Sequence, residues 1–139
     1  MVVVAAVDRS DEAQDVIAEG TQLASALDVP LHVVHAVNSA EFARLQREHV
    51  SSTEDEDGVL TRRDVAAERA REVVAADDDS IEVVGLDGEP AESIVEYADE
   101  RDAAYVVLGG RDRTPAGKAI FGSVAQSVIL SLDRPVVIV

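Results

Sequence analysis

A glycine-rich segment of this chain combines exposed backbone with positive charge. It runs from Gly109 to Lys118, contains Arg111 and Arg113, and is followed by Gly122-Ser123. Backbone amides exposed by glycine, a hydroxyl group and a helix N-terminus are groups that bind phosphate in proteins. The chain has only 12 basic residues against 28 acidic ones, so a local cluster of basic residues indicates an anion site. We therefore predict a phosphate-binding loop here.

The segment departs from the common phosphate-binding motifs. A P-loop requires G-x-x-x-x-G-K-[ST], but around Gly117-Lys118 the first glycine position holds Asp112 and the last position holds Ala119. No G-x-G-x-x-G motif follows the first predicted strand, which argues against the usual dinucleotide site. A phosphoacceptor receiver domain needs an aspartate where Gly85-Leu86 stands. These three classes are excluded.

Residues that catalyse reactions or ligate metals do not form a recognisable set. The chain has no G-x-S-x-G nucleophile elbow. His32 and His35 have odd spacing in one predicted strand, so their side chains point to opposite faces of the sheet and cannot share a metal. For His35 we favour packing against a helix. We predict no catalytic residue, no metal ligand and no dedicated enzyme.

Alternating strands and helices must position the glycine-rich segment. Apolar runs predict strands at 2–7, 31–37, 81–85, 104–108 and 135–139. Helical spacing predicts helices after Ser10 or Asp11, within 41–50, over 59–76, after Glu89-Pro90 and from Ala119 to Leu132. The acidic run 51–57 is expected to be a loop. The alternation predicts one domain, residues 1–139, with a Rossmann-like α/β fold: a three-layer α/β/α sandwich around a five-stranded parallel sheet.

Three predicted strands end next to residues that suit a ligand site. Asp8 follows the first strand, Asn38 the second and Gly109 the fourth. Open parallel sheets bind ligands beyond the carboxyl ends of their strands, where the strand order switches. We therefore expect these residues to lie at one edge of the sheet.

The composition excludes several functions. The chain has a net charge of −16 and a pI near 4.3, and this negative charge repels nucleic-acid phosphates. The lack of cysteine excludes disulfides and thiolate sites. The apolar runs are too short for a membrane span and no export signal is recognisable, so we expect a cytoplasmic protein without a membrane partner. Lys118 is the only lysine, and an acidic, lysine-poor surface indicates a high-salt (halophilic) cytoplasm.

The order of these features resembles the universal stress protein family. The pattern Gly109-x-x-Asp112-x9-Gly122-Ser123, followed by a helix and by 134–139 (RPVVIV), is similar to the family's G-x-x-G-x9-G-[ST] and last strand. The resemblance covers the whole chain, including an aspartate after the first strand. It implies a stress-response protein that binds ATP, or AMP, with or without Mg²⁺. It also implies a homodimer through the fifth strand, Pro135 to Val139.

The resemblance assigns a nucleotide site residue by residue. Asp8 matches the acidic residue near the adenosine moiety, and Ala36 matches the position whose backbone contacts adenine. Gly109 matches the first glycine of the phosphate and ribose loop. Residues that close over the phosphates are matched by Gly122, Ser123 and Val124.

Asp112 departs from the family pattern, because nucleotide-binding members have glycine there. Losing glycine where positive φ is needed costs about 1 kcal/mol, whereas an uncompensated carboxylate near phosphates costs several times more. Arg111, Arg113, Lys118 or a magnesium ion would offset that repulsion.

Simpler interpretations remain open beside this assignment. Asp8 and Gly122-Ser123 would serve equally well as helix caps, and the basic cluster as a solvated loop paired with acidic neighbours. The main alternative function is a homodimeric interaction module without nucleotide, which Asp112 favours. A nucleotide hydrolase on the same fold is the second alternative.

Overall fold

The structure is a computed structural model that describes residues 1–8, 12–49, 62–74, 80–113 and 119–139, with the backbone alone at 45, 46, 48, 49, 111–113 and 119–121. The elements in chain order are β1 (Val2–Ala6), α1 (Ala13–Leu27), β2 (Leu31–Val37), α2 (Ser39–His49), α3 (Arg62–Val73), β3 (Ile81–Asp87), α4 (Pro90–Glu100), β4 (Ala103–Leu108), β5 (Arg111–Arg113), β6 (Ala119–Phe121), α5 (Ser123–Ser131) and β7 (Val136–Ile138).

Five strands form one parallel sheet in the order β3-β2-β1-β4-β7. β1 lies at its centre and pairs with β2 on one side and β4 on the other. The order reverses there: β2 and β3 extend the sheet one way, and β4 and β7 extend it the other way. The predicted five-stranded parallel α/β fold is confirmed, and its switch point lies between β1 and β4.

The sheet is covered on both faces. Alternate residues of the central strands enter different cores, with Val4 and Val34 on one side and Val3 and Val33 on the other. The first core includes residues of α4 and α5, and the second includes residues of α1 and α3. The uninterrupted valine runs are explained by this burial, because a strand covered on both faces has no solvent side for polar residues.

Gly85 brings α3 close to the sheet. A Cβ atom built on it would lie 1.9 Å from the carbonyl oxygen of Arg63 and 2.5 Å from the amide nitrogen of Ala67. The helix backbone therefore passes directly over β3 at this point, and any side chain would force the two elements apart. The third strand was predicted to end at Gly85, but β3 continues to Asp87, because it pairs with β2 as far as that residue.

One predicted helix start is wrong. Residues from Ala119 were expected to be helical, but Ala119–Phe121 forms β6, which pairs antiparallel with β5. α5 begins only at Ser123, after Gly122 in an extended conformation with φ −65° and ψ 166°. Three apolar residues fit a helix or a strand equally well, and here the pairing partner decides. The paired strands β5 and β6 therefore lie between Gly110 and the start of α5 in chain order.

Other predicted boundaries differ by a few residues. α2 begins at Ser39, not Glu41, and α1 begins at Ala13 with Glu12 as its N-cap residue. The predicted caps Ser10 and Asp11, the acidic run 51–57 and the outer ends of the 59–76 helix lie outside the described residues. Within the described part of the chain, no helix has the length and apolar character needed to cross a membrane.

Candidate functional site

A cavity of about 500 Å³ lies at the carboxyl ends of β1, β2 and β4, and we call it the strand-end cavity. The predicted site residues that line it come from three strand ends and one helix start: Asp8, Ala36, Gly109, Gly122, Ser123 and Val124. Of the other three predicted residues, Arg111, Asp112 and Arg113, only the backbone is described, in β5. Lys118 lies outside the described residues.

A larger concavity, of about 880 Å³, lies between α4 and α5. The charged side chains that line it are all acidic, namely Glu89, Glu92, Glu96, Asp99 and Glu100. It touches the strand-end cavity only at the helix starts and contains none of the strand ends. The strand-end cavity is the candidate site, because it lies at the switch point of the sheet, where α/β folds bind ligands.

The backbone of Ala36 faces this cavity. Pairing of β1 with β2 ends at Ala6 and Val34, and its last bond runs from the Val7 N–H to the Val34 carbonyl oxygen. In a strand, backbone groups alternate between the two sides, so the N–H and C=O of Ala36 point the same way as those of Val34. Ala36 lies beyond the point where β1 ends, so its N–H and C=O have no partner strand on that side and offer a donor and an acceptor to a ligand.

His35 fixes the end of β1 beside Ala36. Its Nδ1 atom lies 2.7 Å from the Val7 carbonyl oxygen, which only accepts hydrogen bonds, so the proton is on Nδ1. Its Nε2 atom lies 3.5 Å from Oε1 of Glu41 in α2 and is a buried atom without a hydrogen-bond partner. His35 thus packs against α2, as predicted, and holds Val7 immediately before Asp8.

His32 lies on the opposite face of the sheet, as its spacing predicts. Its Nδ1 lies 2.7 Å from the Tyr97 hydroxyl in α4, and its Nε2 lies 3.1 Å from Oε2 of Glu82. Burial lowers the pKa of His32, against the smaller opposing effect of Glu82. The two side chains therefore face away from each other and do not form one binding site, and the described residues contain no cluster of three or more potential metal ligands.

Gly109 and Gly110 follow β4, and we call them the glycine loop. The loop is held by Glu12, a residue that the sequence analysis missed. The N–H of Gly110 donates to Oε2 of Glu12 at 2.7 Å, and the carbonyl oxygen of Gly110 accepts from the N–H of Gly122 at 2.8 Å. Gly110 has φ +111°, a conformation that favours glycine. A Cβ atom on Gly109 would lie 2.8 Å from the same Glu12 oxygen. Glu12 is far from the loop in sequence, and no local pattern marks the contact.

The start of α5 supplies the remaining donors at this end of the cavity. The first intrahelical bond runs from the N–H of Gln126 to the carbonyl oxygen of Gly122. The amides of Ser123, Val124 and Ala125 therefore precede the helical hydrogen-bond ladder. All three residues line the strand-end cavity. Uncompensated amides and the positive end of the helix dipole favour an anion at this position.

The charged side chains in the described lining of the cavity are all acidic. They are Asp8, Glu12 and Glu41. Attraction of an anion therefore comes from backbone amides, and the described carboxylates oppose it. The sequence analysis found Asp8 but missed Glu12, His35 and Glu41, which contribute to the site only through tertiary contacts.

Comparisons with known proteins agree with this architecture. Over 54 residues the chain is 46% identical to the stress response protein NhaX of Bacillus subtilis, which covers 39% of this chain and 32% of that protein, so the match spans about a third of the relative. It is 26% identical over 136 residues to the universal stress protein MJ0531 of Methanocaldococcus jannaschii, covering 95% of this chain and 77% of that protein.

Solved structures give the same result. A universal stress protein from Archaeoglobus fulgidus is 36% identical with a TM-score of 0.62, covering 99% of this chain and 97% of its own. A universal stress protein in complex with cAMP is 28% identical, with a TM-score of 0.61 and coverages of 100% and 95%. A universal stress protein from A. fulgidus in complex with dAMP is 32% identical, with a TM-score of 0.55 and coverages of 99% and 96%.

The family model described as the universal stress protein family matches residues 1–139. It spans every element from β1 to β7, including the hairpin that separates the glycine loop from α5. The chain belongs to the universal stress protein family.

Proposed function

We propose that this protein binds an adenine nucleotide in the strand-end cavity. The observation that carries the proposal is that one cavity at the switch point contains the Ala36 backbone, the Asp8 carboxylate and the amides at the start of α5. These groups suit a base, a ribose and a phosphate respectively. Two relatives with known structures are complexes with cAMP and dAMP, which supports an adenine nucleotide as the ligand class.

Each part of the nucleotide has a physical counterpart in the proposal. The N–H and C=O of Ala36 offer one donor and one acceptor, which complement N1 and the exocyclic amine of adenine. The Asp8 carboxylate accepts hydrogen bonds from ribose hydroxyls. A phosphate at Ser123 and Val124 gains charge-assisted hydrogen bonds and the helix dipole, typically about 0.3–1 kcal/mol from the dipole alone at exposed sites.

A carboxylate at the start of α5 tests the phosphate position. Ser123→Glu suits the helix, because an acidic side chain in its first turn is favourable, but the new charge repels a phosphate. We expect the affinity for AMP, measured by calorimetry in 2 M KCl, to fall at least about tenfold. Ser127→Glu is the matched control: it adds the same charge to an exposed position of the same helix, outside the strand-end cavity.

The outcomes separate binding from the alternatives. If the wild-type protein binds neither AMP nor ATP at millimolar concentration, with or without Mg²⁺, the proposal is wrong. If both glutamate variants lost the same amount of affinity for AMP, the cause would be the added charge in general. The assignment of the phosphate to the start of α5 would then be wrong. Phosphate release from ATP that Ser123→Ala abolishes would replace simple binding by hydrolysis.

The second proposal is a homodimer formed through β7, which lies within the predicted fifth strand, Pro135 to Val139. Such a dimer would be required for the alternative function, an interaction module without nucleotide. β7 is an edge strand, and Val106 N–H donates to Pro135 C=O while Val139 N–H donates to Leu108 C=O. By strand alternation, the N–H and C=O groups of Val136 and Ile138 face away from β4. An unpaired apolar edge of this kind favours pairing with a second copy.

A further inference from the structure

The side chain of Glu12 joins the start of α1 to the glycine loop. Its backbone carbonyl accepts the N–H of Val16 within the helix, while its carboxylate lies against the loop. Oε2 accepts the Gly110 N–H at 2.7 Å and would lie 2.8 Å from a Cβ on Gly109. A Cβ atom on Gly109 would therefore force the flexible end of the Glu12 side chain to shift.

The backbone N–H groups of Gly110 and Gly122 are both engaged inside the protein. The Gly110 N–H is bound to Glu12, and the Gly122 N–H is bound to the Gly110 carbonyl oxygen. A short contact between an amide and a carboxylate is charge-assisted and stronger than a neutral hydrogen bond. A ligand phosphate that approached Gly110 would have to displace a negatively charged group of the protein. The amides of Ser123, Val124 and Ala125, in contrast, precede the helical ladder and are open to one anion.

We propose that Glu12 is a specificity-determining residue that limits the ligand to a single phosphate group. Its carboxylate occupies the place that a second anionic group would take at the Gly110 amide. A nucleoside monophosphate places its one phosphate at the start of α5 and leaves Glu12 in position. A triphosphate brings further negative charge towards Glu12 and Asp8, where like-charge repulsion opposes it. The inference rests on the proposed nucleotide function and names the ligand class within it.

The test compares three ligands that differ only in phosphate number: adenosine, AMP and ATP. Affinities are measured by calorimetry in 2 M KCl with EDTA, so that no divalent cation bridges the phosphates and the carboxylates. For the wild-type protein we expect AMP to bind at least tenfold more tightly than ATP. Glu12→Gln keeps an oxygen acceptor for Gly110 and removes the charge, so ATP should gain at least tenfold while adenosine changes less than twofold.

Asp15→Asn is the matched control. Asp15 is an exposed residue in the first turn of the same helix and does not line the strand-end cavity, so this variant changes the net charge equally. We expect its affinities to equal those of the wild-type protein. Thermal melting of both variants checks that each is folded before ligand is added.

Each outcome bears on a different statement. Wild-type protein that binds ATP as tightly as AMP, or a Glu12→Gln variant with an unchanged ATP-to-AMP ratio, would overturn the role of Glu12 and leave nucleotide binding intact. ATP binding that appears only in Glu12→Gln would support the role of Glu12 fully. Absence of binding by all three ligands in every variant would overturn the nucleotide function itself, and this inference with it.

Discussion

His32 shows how a buried network selects one protonation state of a side chain. The neutral ring with its proton on Nε2 faces the Glu82 carboxylate and leaves Nδ1 to accept the Tyr97 hydroxyl proton at 2.7 Å. The Arg101 guanidinium lies 5.4 Å from the centre of the Tyr97 ring and adds positive charge near the network. Burial is the largest cause of the lowered pKa of His32, and Arg101 acts in the same direction. Protonation in the folded state would break the bond from Tyr97.

This network predicts a pH dependence of stability. The pKa of His32 is lower in the folded than in the unfolded protein, so the unfolded protein binds the proton first as the pH falls. The contribution of neutral His32 is fully present above about pH 6.5 and is lost as the pH drops through the lower folded value. We expect the free energy of unfolding, from urea titrations at high salt, to decrease between pH 7.5 and pH 5.5.

His32→Gln supplies the control for that measurement. Glutamine retains a donor and an acceptor but does not titrate, so the decrease should be smaller in the variant. Identical slopes for variant and wild type would assign the effect to other groups. The comparison is made above pH 5.5 because the many carboxylates titrate below it.

The site residues divide into those that spacing predicts and those that it cannot. Asp8, Gly109, Gly122 and Ser123 were predicted because each stands at a strand end or helix start, and the structure brings all four to one cavity. Glu12 was missed because its partner, Gly110, lies 98 residues further along the chain. A glutamate near a helix start also has an ordinary explanation, the helix dipole, so its type carried no signal.

At the scale of elements, the hydrophobic pattern of the sequence predicted whether a segment is a helix or a strand better than it predicted where the segment begins and ends. The buried strands β1, β2 and β4 follow directly from their unbroken valine-rich runs. Ala119–Phe121 was predicted to belong to the last helix, because these apolar residues precede the apolar residues of that helix. In the structure they form a strand that pairs with Arg111–Arg113. Short apolar segments are ambiguous, and only the tertiary partner resolves them.

The edge position of β7 leads to a prediction about assembly. Val136→Pro removes an N–H that faces the open edge and leaves the bonds to β4 in place, so the protein should stay folded but lose its dimer. Light scattering in 2 M KCl should give a dimeric mass for wild type and a monomeric mass for the variant. A monomeric wild-type protein would refute the dimer.

Val137→Pro is the contrasting variant in the same strand. By alternation, its N–H faces β4, so proline removes a sheet hydrogen bond and should cost about 3 kcal/mol or more of stability. Urea unfolding monitors this loss. If both proline variants destabilised the protein equally, the assignment of inward and outward positions would be incorrect.

At the scale of the whole molecule, charge dominates. A net charge of −16 on 139 residues creates repulsion that folding intensifies, since the compact state brings carboxylates together. Among the described ion pairs, several join partly exposed side chains, such as Arg134 with Asp99 and Asp102 at 3.1 and 2.9 Å. Exposed pairs of this kind contribute little each and do not offset the net charge.

Salt should therefore stabilise the fold. The Debye length falls from about 10 Å at 0.1 M to about 3 Å at 1 M, which screens repulsion between surface carboxylates. We expect the Tm to rise by several degrees between 0.1 and 1 M KCl and to level off above 1 M, because screening is then nearly complete. Coincident melting curves at 0.1 and 2 M would rule out the high-salt adaptation that the composition indicates.

The central position of β1 has a consequence for synthesis on the ribosome. Val2 is the partner of Ala103 in β4, and β4 emerges only after four further helices and two further strands have been made. Until then, the nascent chain carries the apolar segment Val2–Ala6 with one side of its backbone unpaired. β2 can pair early, but the sheet cannot close around β1 until β4 has been made. Completion of the sheet around β1 therefore depends on the pairing of Val2 with Ala103, and Val2–Ala6 remains an aggregation-prone apolar edge until that pairing forms.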